Sequence, residues 1–87
     1  MDIQSALKKG QSILIDNNII SAKLDSEILM SQAIRKNKKF IILNLHKEIK
    51  KSDLEYFDNL IQERAKMKPI AQIIKKKDFW KYEFIVN

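Results

Sequence analysis

Apolar residues recur at helical spacing over the first part of the chain. The first predicted helix presents one apolar face: Ile3, Ala6, Leu7, Gly10, Ile13 and Leu14. Asp2 directly precedes this face and is the expected N-cap, because its short side chain can accept a hydrogen bond from a free amide of the first turn. Gly10 lies on the apolar face, where the absence of a Cβ would allow a second helix to approach closely. The spacing therefore predicts a helix that packs through this face.

A second helix is predicted after Ser21, which we expect to be its N-cap. Its apolar stripe is broad: Ala22, Leu24, Ile28, Leu29, Ala33 and Ile34. Asp25 and Glu27 lie in its first turns, where a carboxylate interacts favourably with the helix dipole. The pair therefore indicates stabilisation of a helix start and does not indicate a catalytic pair of carboxylates.

Residues 40–45 form a short apolar run that suits either a buried strand or a short helix. We predict a short helix, because a single strand between helices would have no pairing partner.

The fourth helix is predicted from residue 52. The pattern Ser52-x-x-Glu55 matches a capping box, in which the two side chains satisfy each other's backbone amides. The apolar stripe that follows is regular: Leu54, Phe57, Leu60, Ile61 and Ala65. Pro69 disfavours helical geometry at the preceding residue, so we place a boundary there, with one further helical turn over residues 70–74.

An aromatic segment ends the chain: Phe79, Trp80, Tyr82 and Phe84. Residues 76–86 alternate loosely, which predicts a two-stranded hairpin. The strand pattern is still running at the last residue, so we expect a further domain to begin there. The predicted fold is an all-α bundle of four to five helices over residues 1–68, followed by a linker and β-hairpin over residues 69–87.

Composition excludes several kinds of site. The 87 residues include no cysteine and one histidine, His46, so disulfides, thiolate metal sites and multi-histidine sites are excluded. No glycine-rich phosphate loop and no paired nucleophile and base are found. No apolar run is long enough to span a bilayer, and we expect a cytoplasmic protein. We expect no catalytic, cofactor-binding or metal-binding residue in these 87 residues, so the chain by itself is not predicted to be an enzyme.

The net charge is +6, which is compatible with an acidic protein, a nucleic acid or an anionic surface as partner. Only two of the basic residues are arginines, Arg35 and Arg64. Arginine dominates specific base recognition, so this balance argues against nucleic acid. An AT-rich genome would produce the same excess of lysine.

The C-terminal stretch resembles one family. Glu63-Arg64 with residues 69–74 (PIAQII), 77–80 (KDFW) and 84–86 (FIV) is similar to the R-R-x-x-x-P-I-A-Y-I-L-G-x-x-E-F-W-G-L-x-F-x-V stretch of the HemK/PrmC methyltransferases. Residues 24–30 (LDSEILM) are similar to the L-D-A-E-L-L-L segment of the second helix in that family. Lys75 and Lys81 replace two glycines of the family pattern, which leaves the turn of the predicted hairpin open.

The resemblance implies an N-terminal substrate-recognition domain. The full enzyme would use S-adenosylmethionine to methylate the glutamine side chain in the Gly-Gly-Gln motif of class I peptide-chain release factors. The catalytic domain and its cofactor site would follow residue 87. Four lysines are the expected release-factor contacts: Lys36, Lys38, Lys39 and Lys47. Five residues are the expected linker or interdomain contacts: Pro69, Ile70, Phe79, Trp80 and Phe84.

Two other functions stay open at this point. A small basic nucleic-acid-binding module is compatible with Lys75-Lys76-Lys77 and the neighbouring aromatic residues, which could stack on bases. A helical dimerisation domain or scaffold would use the same aromatic residues to bind a protein. We expect neither membrane contact nor nucleic-acid binding.

Overall fold

The computed structural model describes residues 1–74, and five α-helices follow one another within them. Their bounds are α1 Ile3–Asp16, α2 Ala22–Ile34, α3 Lys38–Leu43, α4 Lys51–Ala65 and α5 Ile70–Ile74. The prediction of an all-helical bundle is confirmed for this part of the chain, and residues 40–43 are helical as expected. The predicted hairpin and its aromatic residues Phe79, Trp80 and Phe84 lie outside the described residues.

Two helix starts are fixed by side-chain caps. The Ser5 amide donates to Asp2 Oδ1 at 2.8 Å, which confirms the predicted cap of α1. This hydrogen bond favours the charged carboxylate and lowers the pKa of Asp2 from its ordinary value of 3.8. At the start of α3 the Phe40 amide donates to Asn37 Oδ1 at 2.9 Å. Asn37 is therefore the N-cap of α3.

The predicted capping box is wrong. Helix α4 begins at Lys51 with Lys50 as its N-cap, and no side chain caps it. The reason is the segment that precedes it: the Ile49 amide donates to the Met1 carbonyl at 3.0 Å and holds the chain against the start of α1. The chain turns helical immediately after this contact. Ser52 therefore lies inside the first turn, where its backbone is already helical and cannot act as an N-cap.

Ser21 is the N-cap of α2, as predicted, but its side chain does not cap the helix. This side chain accepts no hydrogen bond from a backbone amide. Its hydroxyl instead donates to Asp25 Oδ2 at 2.8 Å. The serine thus orients a buried carboxylate.

Helices α1 and α4 pack closely at Gly10, as the sequence predicted. A Cβ at this position would lie 2.8 Å from Phe57 Cζ and 2.9 Å from Ile61 Cδ1. Real Cβ atoms essentially never approach a neighbour below 3.0 Å. The missing side chain therefore allows Phe57 and Ile61, both fully buried, to lie directly against the α1 backbone.

Helix α2 is the central element, and its predicted apolar stripe is only partly correct. It packs against α1, α3, α4 and α5. Because neighbours cover it on several sides, Asp25, Ser26 and Gln32 are buried along with its apolar residues, whereas Leu24 is 52% exposed. A single amphipathic face does not describe a helix that is surrounded in this way. The buried apolar core comprises Ile3, Ala6, Leu14, Ile19, Ala22, Leu29, Met30, Ala33, Ile41, Ile49, Phe57, Leu60, Ile61 and Ile73.

Two polar contacts join α2 to α4. In the first, Arg64 Nε donates to Asp25 Oδ2 at 2.8 Å. The same guanidinium also donates through Nη1 to the carbonyl of Lys68, just after α4, at 3.2 Å. Near the other end of α2, Gln32 Nε2 donates to the Tyr56 hydroxyl at 3.0 Å. The other amide atom, Gln32 Oε1, is buried without a hydrogen-bond partner within the described residues. Asp25 therefore stabilises the fold by pairing with Arg64, in addition to any interaction with the helix dipole.

Helix α5 extends the bundle beyond Pro69. The Gln72 and Ile73 amides donate to the Pro69 carbonyl at 3.0 and 3.1 Å, so the helical turn predicted for residues 70–74 is confirmed. Pro69 itself is exposed, Ile70 is half-buried against the core and Ile73 is almost completely buried. The first residues after Pro69 thus belong to the packed body of the bundle.

Candidate partner-binding surface

The four lysines proposed as partner contacts lie on and around α3. Lys38 and Lys39 form its first turn, Lys36 precedes it and Lys47 follows it. All four side chains are exposed. Two of the four approach the same aromatic ring and line the same pocket, and the other two do not.

The pair is Lys36 and Lys47, whose ammonium groups approach the same aromatic ring. Lys36 Nζ lies 5.3 Å and Lys47 Nζ lies 5.4 Å from the centroid of the Phe40 ring. Both distances are within the range of a cation–π contact. Lys38 instead forms a salt bridge with Glu27 of α2, with 3.3 Å between Nζ and Oε1. Lys39 is exposed on the same short helix.

Hydrogen bonds hold the backbones of the paired lysines in place, whereas their side chains are exposed. The Lys36 carbonyl accepts a hydrogen bond from the Ser31 hydroxyl, after Arg35 has ended α2 in a left-handed conformation with φ of 60°. The Lys47 carbonyl accepts from the Ile3 amide at 3.0 Å, and the Lys47 amide donates to the Asn44 carbonyl at 3.0 Å. The start of α1 therefore positions Lys47 beside α3.

A concave site lies between these lysines, and we call it the Phe40 pocket. Its volume is about 220 Å³. Its apolar lining comes from four residues: Ile3, Ile34, Phe40 and Ile49. Its charged rim comes from five: Lys36, Lys47, Lys50, Glu48 and Asp53. The pocket thus combines an apolar floor with a rim in which lysine predominates.

The charges on this rim do not cancel. The Glu48 carboxylate is engaged by the N-terminal ammonium of Met1. Within residues 1–74 no salt bridge involves any of the three rim lysines, Lys36, Lys47 and Lys50. Asp53 is the one other acidic group on the rim, so the local balance is positive.

A second depression lies on the other side of α3, and we call it the Ile42 groove. It encloses about 620 Å³ and is lined by Ile20, Ser21, Lys23, Leu24, Glu27, Lys38 and Ile42. Ile20 is completely exposed, and Leu24 and Ile42 are each more than half exposed. This groove is wider and more open than the Phe40 pocket, and its Lys38 is already paired with Glu27.

Sequence reasoning missed Phe40 and the Ile42 groove as functional candidates. Phe40 belongs to the apolar run of residues 40–45, for which the sequence predicts a short helix and no contact with a partner. The available signal was the placement of lysines at both ends of this run, combined with the Asn37 cap that starts α3. The exposed side chain of Leu24 could not be foreseen, because its position follows the apolar spacing of α2.

The one histidine, His46, does not line the Phe40 pocket or the Ile42 groove. His46 is exposed, with Nδ1 3.9 Å from Asp2 Oδ2. Within residues 1–74 no three histidine or acidic side chains are grouped closely enough to hold a metal ion. None of the helices over the same residues has the length and apolar character needed to cross a membrane.

Comparison with known proteins identifies the family. Residues 5–74 match the family profile described as the PrmC N-terminal domain. A bifunctional methyltransferase of Rickettsia felis is 35% identical over 98% of this chain, which spans 16% of that protein. The release factor glutamine methyltransferases of Buchnera aphidicola and Clostridium acetobutylicum are 32% and 35% identical over the whole chain, which spans 31% and 30% of their lengths.

The chain thus spans less than a third of the curated relatives that it matches. No solved structure matches it significantly. The family match covers all five described helices apart from the first two residues of α1. The chain belongs to the family of PrmC N-terminal domains.

Proposed function

We propose that this chain is the substrate-recognition domain of an S-adenosylmethionine-dependent methyltransferase that modifies class I peptide-chain release factors. The observation that carries the proposal is the family match over residues 5–74, together with relatives named release factor glutamine methyltransferase. The modified group would be the side-chain amide nitrogen of the glutamine in the Gly-Gly-Gln motif. The chain would bind the release factor, and the transfer itself would take place in another domain.

The proposed division of the protein follows from how little of its relatives this chain covers. Residues 1–68 would form the recognition bundle, and residues 69–87, which begin with the packed helix α5, would connect it to a Rossmann-like catalytic domain that binds the cofactor. Helix α5 supports a fixed connection, because Ile73 packs into the core immediately after Pro69. We assign Pro69, Ile70, Phe79, Trp80 and Phe84 to this linker and to interdomain packing.

A separate recognition domain has a physical reason. A primary amide is a common group on protein surfaces, so an enzyme that selects one glutamine must use contacts remote from the reacting atom. Such contacts orient the substrate and supply binding energy to the catalytic step. A positive surface would also accelerate the encounter with an acidic protein, and salt would weaken this effect.

The proposed release-factor contacts are the exposed lysines around α3: Lys36, Lys38, Lys39 and Lys47. Their arrangement supports this assignment in part. Lys36 and Lys47 flank a concave surface and have no carboxylate partner within residues 1–74, so their charges are available to a second protein. Lys38 shares its charge with Glu27 and would contribute less.

The test is a calorimetric titration of the 87-residue chain with an unmethylated class I release factor. A random single-stranded oligonucleotide is titrated in parallel, and both are measured at low and at moderate salt. Saturable binding of the release factor, with little binding of the oligonucleotide, is the expected result. Oligonucleotide binding that falls steeply with salt, without binding of the release factor, would instead support a nucleic-acid-binding module.

A further inference from the structure

The Phe40 pocket places two positive charges close to one ring without an internal counter-ion. Like charges repel, and the negative face of an aromatic ring offsets only part of this repulsion. Within residues 1–74 no acidic side chain forms a salt bridge with Lys36 or Lys47. Both lysines line the Phe40 pocket, so an anion bound there would gain favourable interactions with both.

The floor of the pocket selects among anions. Phe40 and Ile34 are half-buried, and Ile3 and Ile49 are buried beneath them. An apolar group that covers this floor removes hydrocarbon surface from water, which contributes about 25 cal/mol per Å². An inorganic anion such as phosphate offers no such group beside its charge. A peptide offers both a carboxylate and an apolar side chain on adjacent residues.

The volume of the pocket limits the size of the group that can bind in it. Its volume of about 220 Å³ is below the roughly 300–1,000 Å³ that is usual for small-molecule and cofactor sites. One or two side chains would fill it. It therefore fits a short protein segment better than a nucleotide-sized cofactor.

We propose that the Phe40 pocket binds an acidic side chain and its apolar neighbour from a surface segment of the substrate protein. Lys36 and Lys47 donate hydrogen bonds to the carboxylate, and the apolar neighbour packs on Phe40 and Ile34. The identity of this protein as the release factor rests on the proposed function, whereas the chemistry of the segment rests on the pocket alone.

The acidic groups around the pocket limit where the carboxylate can lie. Glu48 is engaged by the Met1 ammonium, which reduces its repulsion. Asp53, in the first turn of α4, lies on the same rim as Lys50, which follows the buried Ile49. The carboxylate of the partner therefore binds at the Lys36–Lys47 side of the pocket, away from Asp53.

The first experiment tests the pocket without any release factor. A blocked Leu-Asp-Glu-Phe peptide and its amide counterpart, Leu-Asn-Gln-Phe, are titrated into the ¹⁵N-labelled 87-residue chain. Two-dimensional NMR should show saturable shifts at residues 34, 36, 40 and 47 for the acidic peptide. Its amide counterpart should bind at least about fivefold more weakly. Absence of saturable shifts, equal affinity for both peptides, or shifts centred on the Ile42 groove would overturn the proposal.

A pair of double variants provides the matched control. Lys36→Gln with Lys47→Gln removes two charges at the pocket, whereas Lys8→Gln with Lys9→Gln removes two exposed charges on α1. The pocket variant should weaken binding of the acidic peptide about tenfold, and the control should change it less than about twofold. Equal loss in both variants would show a response to net charge alone. All four lysines are exposed, so folding of each variant is checked directly from its NMR spectrum.

The second experiment uses the same variants with the unmethylated release factor. The pocket variant should weaken its binding by about tenfold, while the control should leave it nearly unchanged. If the release factor fails to bind the unmodified chain, the proposed function fails, and the peptide titration still decides the chemistry of the pocket. If polythymidylate competes with the acidic peptide for the pocket and binds more tightly, the pocket recognises phosphate and the inference of a peptide segment is wrong.

Discussion

The two sides of α4 are packed in different ways. Toward α1 the contact is apolar and close, because Gly10 lets Phe57 and Ile61 reach the opposing backbone. Toward α2 the contact includes a buried ion pair, Asp25–Arg64, and a buried amide on Gln32. The first interface depends on shape, and the second depends on satisfying polar groups that have been removed from water.

This difference has consequences for how each side responds to change. In an apolar interface, the loss of a contact lowers the free energy of unfolding in proportion to the volume of the cavity that it leaves. A buried polar interface responds more sharply, because removing one partner leaves the other without compensation. Among changes at Arg64, Gly10 and Gln32, we therefore expect the largest effect at Arg64 and the smallest at Gln32.

The largest effect is expected at the ion pair. Arg64→Ala should lower the free energy of unfolding by about 3 kcal/mol, because it leaves the Asp25 carboxylate buried and paired only with the Ser21 hydroxyl. The Lys68 carbonyl also loses its donor. Urea denaturation followed by circular dichroism measures the change.

A double variant separates charge pairing from packing. Arg64→Met combined with Asp25→Leu removes both charges and should cost clearly less than Arg64→Ala. A cost below about 0.5 kcal/mol for Arg64→Ala would contradict the expectation and would place the pair among ordinary surface salt bridges.

The apolar side should respond at Gly10. Alanine is about 1 kcal/mol better than glycine in a helix interior, so Gly10→Ala would stabilise an isolated α1. In the folded chain its Cβ would meet Phe57 Cζ at 2.8 Å, and the overpacking should outweigh the gain. We expect a net loss of about 1–2 kcal/mol in the same denaturation experiment.

Two controls test whether the close contact causes this loss. Ser12→Ala, at an exposed position of α1, should change stability by less than about 0.5 kcal/mol. In a Phe57→Leu background, Gly10→Ala should become neutral or stabilising, because the smaller side chain leaves room for the added methyl group. A stabilising effect of Gly10→Ala in the unmodified chain would show that the two helices separate easily.

The apolar side of α4 could be predicted from the sequence. The face of α1 that contains Gly10 could be predicted in the same way. The apolar stripe of each helix lies in the core, so the spacing of Phe57, Leu60 and Ile61 identifies the residues of α4 that are buried. The Asp2 cap could also be predicted, because it depends on residues that are adjacent in the chain. The turn after Pro69 is another local feature of this kind.

The polar side could not be predicted, because its partners are distant in sequence. Asp25 and Arg64 are separated by 39 positions, and nothing local to either residue identifies the other. The Phe40 pocket also depends on a contact between residues that are distant in sequence. The Ile3 amide donates to the Lys47 carbonyl, which holds Lys47 near Phe40. The four lysines were therefore predicted as a group, but their division into a pocket pair and two others required the structure.

The smallest change in the free energy of unfolding is expected at Gln32, and the sign of this change shows whether the buried amide stabilises the fold. Gln32→Met keeps a similar shape, removes the buried Oε1 that has no partner within residues 1–74, and gives up the hydrogen bond to the Tyr56 hydroxyl. Since these two changes oppose each other, stability should stay within about 1 kcal/mol of the original chain and should rise if the orphaned acceptor dominates. Gln32→Glu is the matched contrast, because it places a charge at the same buried position and should cost more than about 2 kcal/mol. A loss above 2 kcal/mol for Gln32→Met would mean that Oε1 is hydrogen-bonded in solution, for example to an internal water, and that the amide stabilises the α2 side of α4 as firmly as the ion pair does.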